Sequence, residues 1–265
     1  MKKKELEIIK DYCCEKKLLI SKDIEEFIVN TFPNREGTLM KFYFTELFTN
    51  NIIYRLNSMY YKFNDKLVNF KYQYCKIDNL IKESIENKFP DMEVCIWSTN
   101  FLSSFMNLQP YVSYTFIEVN SFYVEFLFEY LKGIYDNVFI NPDERELFHY
   151  SKGDNPIIIR KLPLRSPLDK QYTGNIGSIT KKSKSKSNVF NLKIEKLIVD
   201  IFIDKDKILI YEDLDFIIRE LLKVYCVNFV KLLSYASYRN VRDELEDYIN
   251  YIIGYDITRG EFYDK

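Results

Sequence analysis

The residues able to do chemistry are few and scattered. One histidine is present, His149. At the end of a predicted short helix, it lacks the nucleophile and orienting acid that hydrolytic catalysis needs. Five cysteines stand at positions 13, 14, 75, 95 and 226. No CxxC pair occurs, and Cys13 and Cys14 are helix neighbours that cannot bridge each other. Neither a disulfide framework nor a zinc site is expected, and buried thiols in a reducing, cytoplasmic compartment are. Gly174-Asn175-Ile176-Gly177 matches neither a P-loop nor a dinucleotide fingerprint, so no cofactor is expected.

The charged groups leave more room. Asp204-Lys205-Asp206 superficially resembles the acidic pair with which a nucleotidyltransferase holds Mg²⁺ on oxygen ligands. It lacks the usual preceding Gly-Ser and falls at a predicted helix-to-strand turn. Glu195, Lys196 and Asp200 can join Glu118 in a nuclease-like cluster, or Lys196 and Asp200, at i and i+4, can form a structural ion pair. Lys181, Lys182, Lys184 and Lys186 alternate with serines, either as a solvated loop or as a basic arm that meets phosphates. Arg239 and Arg242, at i and i+3 on one face, can present paired cations to an acidic partner or phosphate, or pair with Asp243, Glu244 or Glu246.

The element that organises the chain is Asn34 to Phe63. Leu39, Phe42 or Tyr43, and Leu47 recur at helical spacing, and Asn50-Asn51 ends that helix. Ile52 to Leu56 and Met59 to Phe63 are β-branched or aromatic runs with Asn57-Ser58 between them, which suits a two-residue hairpin turn. Two helices precede, Lys3 to Lys17 and Ser21 to Thr31, the second with Ser21 as its cap. Three helices followed by a hairpin is the winged helix-turn-helix arrangement, whose third helix reads the DNA major groove while the hairpin touches the backbone. On this reading Arg35, Lys41 and Arg55 contact phosphate, and Thr38, Met40 and Thr45 lie nearer base edges. A protein-docking module of the same shape is the alternative.

Composition bounds these readings. The chain has 265 residues, 47% apolar, and a net charge of −1, so the whole molecule is not a polycation tuned to nucleic acid. Residues 1–66 carry twelve Lys and Arg against ten Asp and Glu, a bias of +2. Affinity for double-stranded DNA therefore calls for a homodimer or cooperative assembly. The charged, periodic start MKKKELEIIKDYC does not read as a signal peptide. The apolar stretch Tyr111 to Ile140 is broken by Glu118, Glu125, Glu129, Lys132 and Asp136 and cannot span a bilayer.

Beyond a linker at Asn64 to Tyr74 the pattern alternates. Asp78 is the expected cap of a helix that carries Leu80, Ile81 and Ile85 and ends before Pro90. Strands follow at Glu93 to Trp97, Val112 to Val119, Asn137 to Ile140 and Ile157 to Leu162. Helices between them start at Ser98, Ser121 and Asn141-Pro142-Asp143-Glu144. Leu164 to Asn188 reads as a long loop. Helices close the chain at Leu192 to Ile203, Leu214 to Tyr225, Phe229 to Tyr238 and Val241 to Ile253, before a loosely ordered tail. The expected class is mixed α/β: a winged helix-turn-helix domain over 1–66, then a mixed-sheet domain over 75–265 with a helical C-terminal part.

Several segments, taken in order, resemble a known group: IWSTNFLSSF at 96–105, YTFIEVNSFYVEFLFEYLKGIYDNVFINP at 114–142, IIIRKLPLRSPL at 157–168, NLKIEKLIVDIFID at 191–204 and LLSYASYRNVRDEL at 232–245. With the winged-helix start, this order is similar to the AbiEi-like type IV antitoxins and transcriptional regulators, over roughly residues 20–250. The resemblance implies a bacterial, non-enzymatic, DNA-binding regulator that represses its own operon and counteracts a nucleotidyltransferase-like toxin. It implies that the helix around Thr38, Met40, Lys41, Phe44 and Thr45 reads DNA, and it places Glu195, Lys196 and Asp200 in the group's Glu-Lys…Asp stretch. Asn57-Ser58-Met59 departs from the Gly and Arg usual at the wing. A metal-dependent nuclease or nucleotidyltransferase remains the competing class.

Overall fold

Pairs of apolar residues four apart put one buried stripe on each of the first three helices. They are Ile9 and Cys13 on α1 (Lys3–Cys14), Ile24 and Ile28 on α2 (Ser21–Thr31), and Tyr43 and Leu47 on α3 (Met40–Thr49). These stripes share one core with Leu19, Ile52, Ile53 and Tyr61. The computed structural model describes residues 3–16, 18–33, 40–56, 59–64, 66–106, 112–151, 155–172, 186–208, 214–254 and 256–259. It divides into two compact units, Met1–Phe70 with Arg219–Lys265, and Lys71–Ile218.

In the first unit, β1 (Leu19–Ile20), β2 (Ile53–Arg55) and β3 (Tyr60–Phe63) form an antiparallel sheet in the order β1-β3-β2. β1 has two residues, too few to show alternation, and the sequence does not announce it. It also displaces the expected cap. Ile20 occupies the extended position before α2 with no side-chain cap, and the Ser21 N–H is spent on Met59 O at 2.9 Å. Asn51 ends α3 in the left-handed region at φ 53°, where asparagine is tolerated. The register Arg55↔Tyr61, continued by Leu56 N–H to Tyr60 O at 3.0 Å, leaves residues 57–59 as the connection. The expected two-residue turn is therefore one residue short. Asn57 and Ser58 themselves lie outside the described residues.

The second unit is a mixed six-stranded sheet, β4 (Val94–Ser98), β5 (Thr115–Val119), β6 (Val138–Ile140), β7 (Ile157–Lys161), β8 (Leu168–Tyr172) and β9 (Lys186–Leu192), in the order β6-β7-β5-β4-β9-β8. The pairs β4–β5 and β8–β9 are antiparallel and the others parallel. Every residue of β4 and β5 is buried, as strands covered on both faces must be. On one face Ile96, Ile117, Val119 and Ile159 meet Ile81 and Ile85 of α4 (Lys76–Lys88) and Leu127 and Leu131 of α5 (Val124–Lys132). By alternation, Trp97, Phe116, Glu118 and Arg160 stand on the other face. Side chains there reach α7 (Ile194–Ile208), which itself contacts α6 (Glu144–Tyr150).

Several expectations for this unit need correction. Asp78 does not cap α4. It is the third helical residue and accepts the Cys75 N–H at 3.1 Å, while Cys75 holds the cap position. Asp143 caps α6, accepting the Glu146 N–H at 2.7 Å and donating its own N–H to Glu146 Oε2 at 2.9 Å. Asn120, not Ser121, caps the turn that leads into α5. Ser98 caps as expected, but Thr99–Phe105 is a 3-10 helix. The stretch read as one loop from Leu164 to Asn188 contains all of β8 and the start of β9. Their polar residues hide the strand, because β8 lies at the sheet edge with little to bury. Lys181, Lys182 and Lys184 lie outside the described residues, as does the side chain of Lys186.

The chain closes with α8 (Leu214–Val224), α9 (Phe229–Tyr238) and α10 (Arg242–Ile253), and Gly254 ends α10 at φ 76°. The sequence reading grouped these helices with the second domain. From Arg219 onward they belong to the first unit, because the segment after β3 clips to them. Val68 N–H donates to Val224 O at 2.9 Å, and Cys226 N–H donates to Val68 O at 3.0 Å. Asn64 Nδ2 reaches Cys226 Sγ at 3.3 Å. No described helix is long and apolar enough to cross a membrane.

Candidate functional site

Two places collect the residues singled out by sequence, one in each unit. The first is the outer face of α3. Tyr43 and Leu47 turn inward, which leaves Lys41, Phe42, Thr45, Phe48 and Thr49 exposed. Lys41 and Thr45 are one turn apart on that outer side, and the Thr45 hydroxyl donates to Lys41 O at 2.7 Å. That bond uses the hydroxyl proton and leaves oxygen lone pairs outward. Met40 is half-buried and packs against the core, so little of it is presented outward. Arg55 is half-buried on β2, opposite Tyr61. Arg35 and Thr38 lie outside the described residues.

The second place is a buried ionic network on the α7 face of the second unit's sheet. Glu118 of β5 and Arg160 of β7 are direct neighbours in the ladder. Arg160 Nη2 lies 2.8 Å from Glu118 Oε1 and 3.5 Å from Asp200 Oδ2, and its Nη1 lies 2.5 Å from Asp204 Oδ2. Lys196 Nζ reaches Glu118 Oε2 at 2.6 Å and also pairs with Asp200. Asp200 and Lys196 are fully buried, four residues apart on α7, and Asp204 continues the same stripe one turn on. The guanidinium stacks over Phe116 at 4.6 Å, and Phe116 stacks on Trp97 with ring centroids 4.4 Å apart. Burial opposes the charge on Arg160, but Glu118, Asp204 and Asp200 outweigh it and hold its pKa above the ordinary guanidinium value. Burial, with Glu118 and Asp200 nearby, pushes the Cys95 thiol up.

Such an arrangement ties two strands and a helix together. Each of these carboxylates faces a cation, and among the described residues no group of three His, Cys, Asp or Glu side chains is placed to hold a metal. Asp204 and Asp206 do not form an acidic pair. They lie within α7, not at a turn, and two helical steps send Asp204 onto Arg160 and Asp206 to the surface. Glu195 is buried on the same helix.

Arg239 and Arg242 are not on one helical face. Arg239 ends α9, Arg242 begins α10, and Asn240 turns between them at φ 58°. Arg239 Nη1 donates to Tyr235 Oη at 2.9 Å, and Arg242 Nε lies 3.4 Å from Glu246. His149 is exposed on α6.

Arg160, the hub of the network, escaped the sequence reading because its partners lie about 40 residues away on either side. The one signal was a charge inside an apolar strand, IIIRK, beside another, FIEV. A second buried polar group was also missed. The Tyr72 hydroxyl donates to Asp78 Oδ2 at 3.0 Å and accepts the Ser98 N–H at 2.7 Å.

The chain belongs to a family of unknown function (DUF6577), whose model matches residues 39–254. No curated protein matches it.

Proposed function

We propose that this member of DUF6577 is a DNA-binding regulator of the antitoxin type. In this reading the first unit is a winged helix-turn-helix, α3 is the reading helix, and β2–β3 is the wing. The observation that carries the reading is the element order α1-β1-α2-α3-β2-β3, with its sheet ordered β1-β3-β2. A helix precedes a short strand, two helices follow, and the hairpin closes on that strand, which leaves the outer face of α3 open beside the wing. Lys41 is the phosphate contact on that face and Thr45 meets base edges there, while Arg55 of β2 meets phosphate from the wing. The resemblance to AbiEi-like proteins extends the reading to autorepression and to a nucleotidyltransferase-like toxin as partner. The same reading makes the protein non-enzymatic. Its support is the way Glu118, Asp200 and Asp204 are engaged by Arg160 and Lys196. With a bias of only +2 over residues 1–66, tight operator binding calls for a dimer or cooperative assembly.

A second reading, protein docking through α3, is favoured by Phe42 and Phe48, which are 40% and 37% exposed on the same helix. One titration separates the two. The full chain is titrated against the duplex upstream of its own gene at several salt concentrations, alongside Lys41→Glu. The expected result is weaker binding by the variant and a salt slope lower by about one. Equal affinity of both proteins removes α3 as the DNA contact and leaves docking.

A further inference from the structure

The first unit carries an open pocket of about 340 Å³ that neither reading uses. Its size lies at the low end of small-molecule sites. Leu67, Leu222, Val227, Phe229 and Ile252 supply an apolar lining. Three cations also line it, Lys62 of β3 and Arg219 and Lys223 of α8, and among the described residues that line it none is acidic. Lys223 is engaged by Glu220 at 2.5 Å. Arg219 is held differently. One Nη1 N–H donates to Ile252 O at 2.8 Å, which fixes the guanidinium at the wall. A guanidinium has five N–H donors, and this bond uses one. Tyr54 also lines the cavity. Burial, with Cys226 nearby, pushes its hydroxyl above the ordinary value, so it stays a neutral donor.

We propose that this cavity is a binding site for a small amphipathic carboxylate, with Arg219 taking the carboxylate and the apolar lining taking an aromatic or short aliphatic body. One fixed guanidinium suits a planar monoanion that it can grip with two parallel hydrogen bonds. With Lys223 held by Glu220, the lining offers less positive charge than a phosphate dianion asks for. Tyr54 and Lys62 are direct partners across the β2–β3 ladder, so an occupant touches the hairpin from its inner side. Where the hairpin is the wing, occupancy biases DNA binding. That consequence rests on the preceding proposal, whereas the site does not.

The test uses the full chain, with benzoate and octanoate as probes and benzamide and octanamide as neutral counterparts, read by calorimetry. The expected result is saturable binding of at least one carboxylate. Its amide should bind at least tenfold more weakly, and Arg219→Gln should lose at least tenfold. If Arg219→Gln does not fold, Leu222→Trp, which fills the cavity from α8, must abolish the same binding. No saturable binding at millimolar concentration, or equal binding of acid and amide, overturns the site. The titration against DNA is then repeated with saturating carboxylate. A DNA affinity that shifts severalfold supports the coupling to the wing, and an unchanged one overturns it. A protein that binds carboxylate but no DNA at all sinks the DNA reading while the site stands.

Discussion

Arg160 carries more of the second unit's electrostatics than any other side chain described, since it alone touches Glu118, Asp200 and Asp204. Removing one partner of a buried ionic set leaves uncompensated charge, at a cost of about 3–5 kcal/mol. Arg160→Met strips Asp204 of its closest cation and leaves Glu118 and Asp200 to share Lys196. It should lower stability by about that amount in urea denaturation, and a loss below about 1 kcal/mol would mean the network is not what holds β5, β7 and α7 together. Half of this network was legible in the sequence: Lys196 and Asp200 share a helix, so their spacing alone pairs them. The other half depends on strand register, which no local pattern reveals. Asp78 gives a second prediction at this scale. Burial raises its pKa from 3.8, against the lowering by hydrogen bonds from Cys75, Tyr72 and Thr115. Between the unfolded and the raised folded value the native state binds more protons, so this group's contribution is most favourable at low pH and is lost as pH rises through the folded value. The melting temperature of the wild type minus that of Asp78→Asn should therefore increase as pH falls from 7 toward 4. A difference that stays flat with pH would show that Asp78 does not titrate abnormally.

At the scale of elements, legibility followed burial pattern and turn chemistry. Helices α2 and α9 run as their apolar spacing predicts because each buries a single stripe against a core. β4, β5 and β7 stood out as short apolar runs because both faces are covered. β1 was invisible at two residues, and β8 was hidden by its polar sequence at one edge of the sheet. At α4 and α6 the caps were misplaced because an acid at the third helical position, Asp78 or Glu146, reaches back to the N–H of the true cap residue. The end of α10 was clearer. Gly254 adopts φ 76° with nothing within 4 Å of where a Cβ would lie, so its role is conformational and not one of space. Gly254→Ala should cost about 1 kcal/mol and Gly254→Asn less, since asparagine tolerates the left-handed region. Thermal melts of the two variants decide it, and an alanine variant as stable as the wild type would mean the helix end relaxes freely.

For the whole molecule, the boundary drawn from composition near Asn64 to Tyr74 lies beside the end of the first compact segment, Phe70. What sequence order concealed is the return of the chain: residues 219–265 complete the unit that residues 1–70 begin. Patterning tells that a helix is amphipathic but not which core its apolar face meets, and α9 and α10 read equally well as a close to either unit. The return changes what truncation does. Cutting after residue 70 removes Phe229, Leu232, Tyr235, Leu245 and Ile249, all buried. It also removes the bonds that Val68 makes with Val224 and Cys226. A chain of about 70 residues that loses part of its core is marginal. Residues 1–70 joined to 219–265 through a short Gly-Ser linker should melt cooperatively. Val68 N–H and Val224 O, 2.9 Å apart, hold the two segments side by side. Residues 1–70 alone should melt at least about 10 °C lower, or show no cooperative transition. The comparison is a pair of circular-dichroism melts at equal concentration. If residues 1–70 alone melt at the same temperature as the joined chain, the C-terminal helices add nothing to the first unit and the boundary drawn from sequence is the physical one.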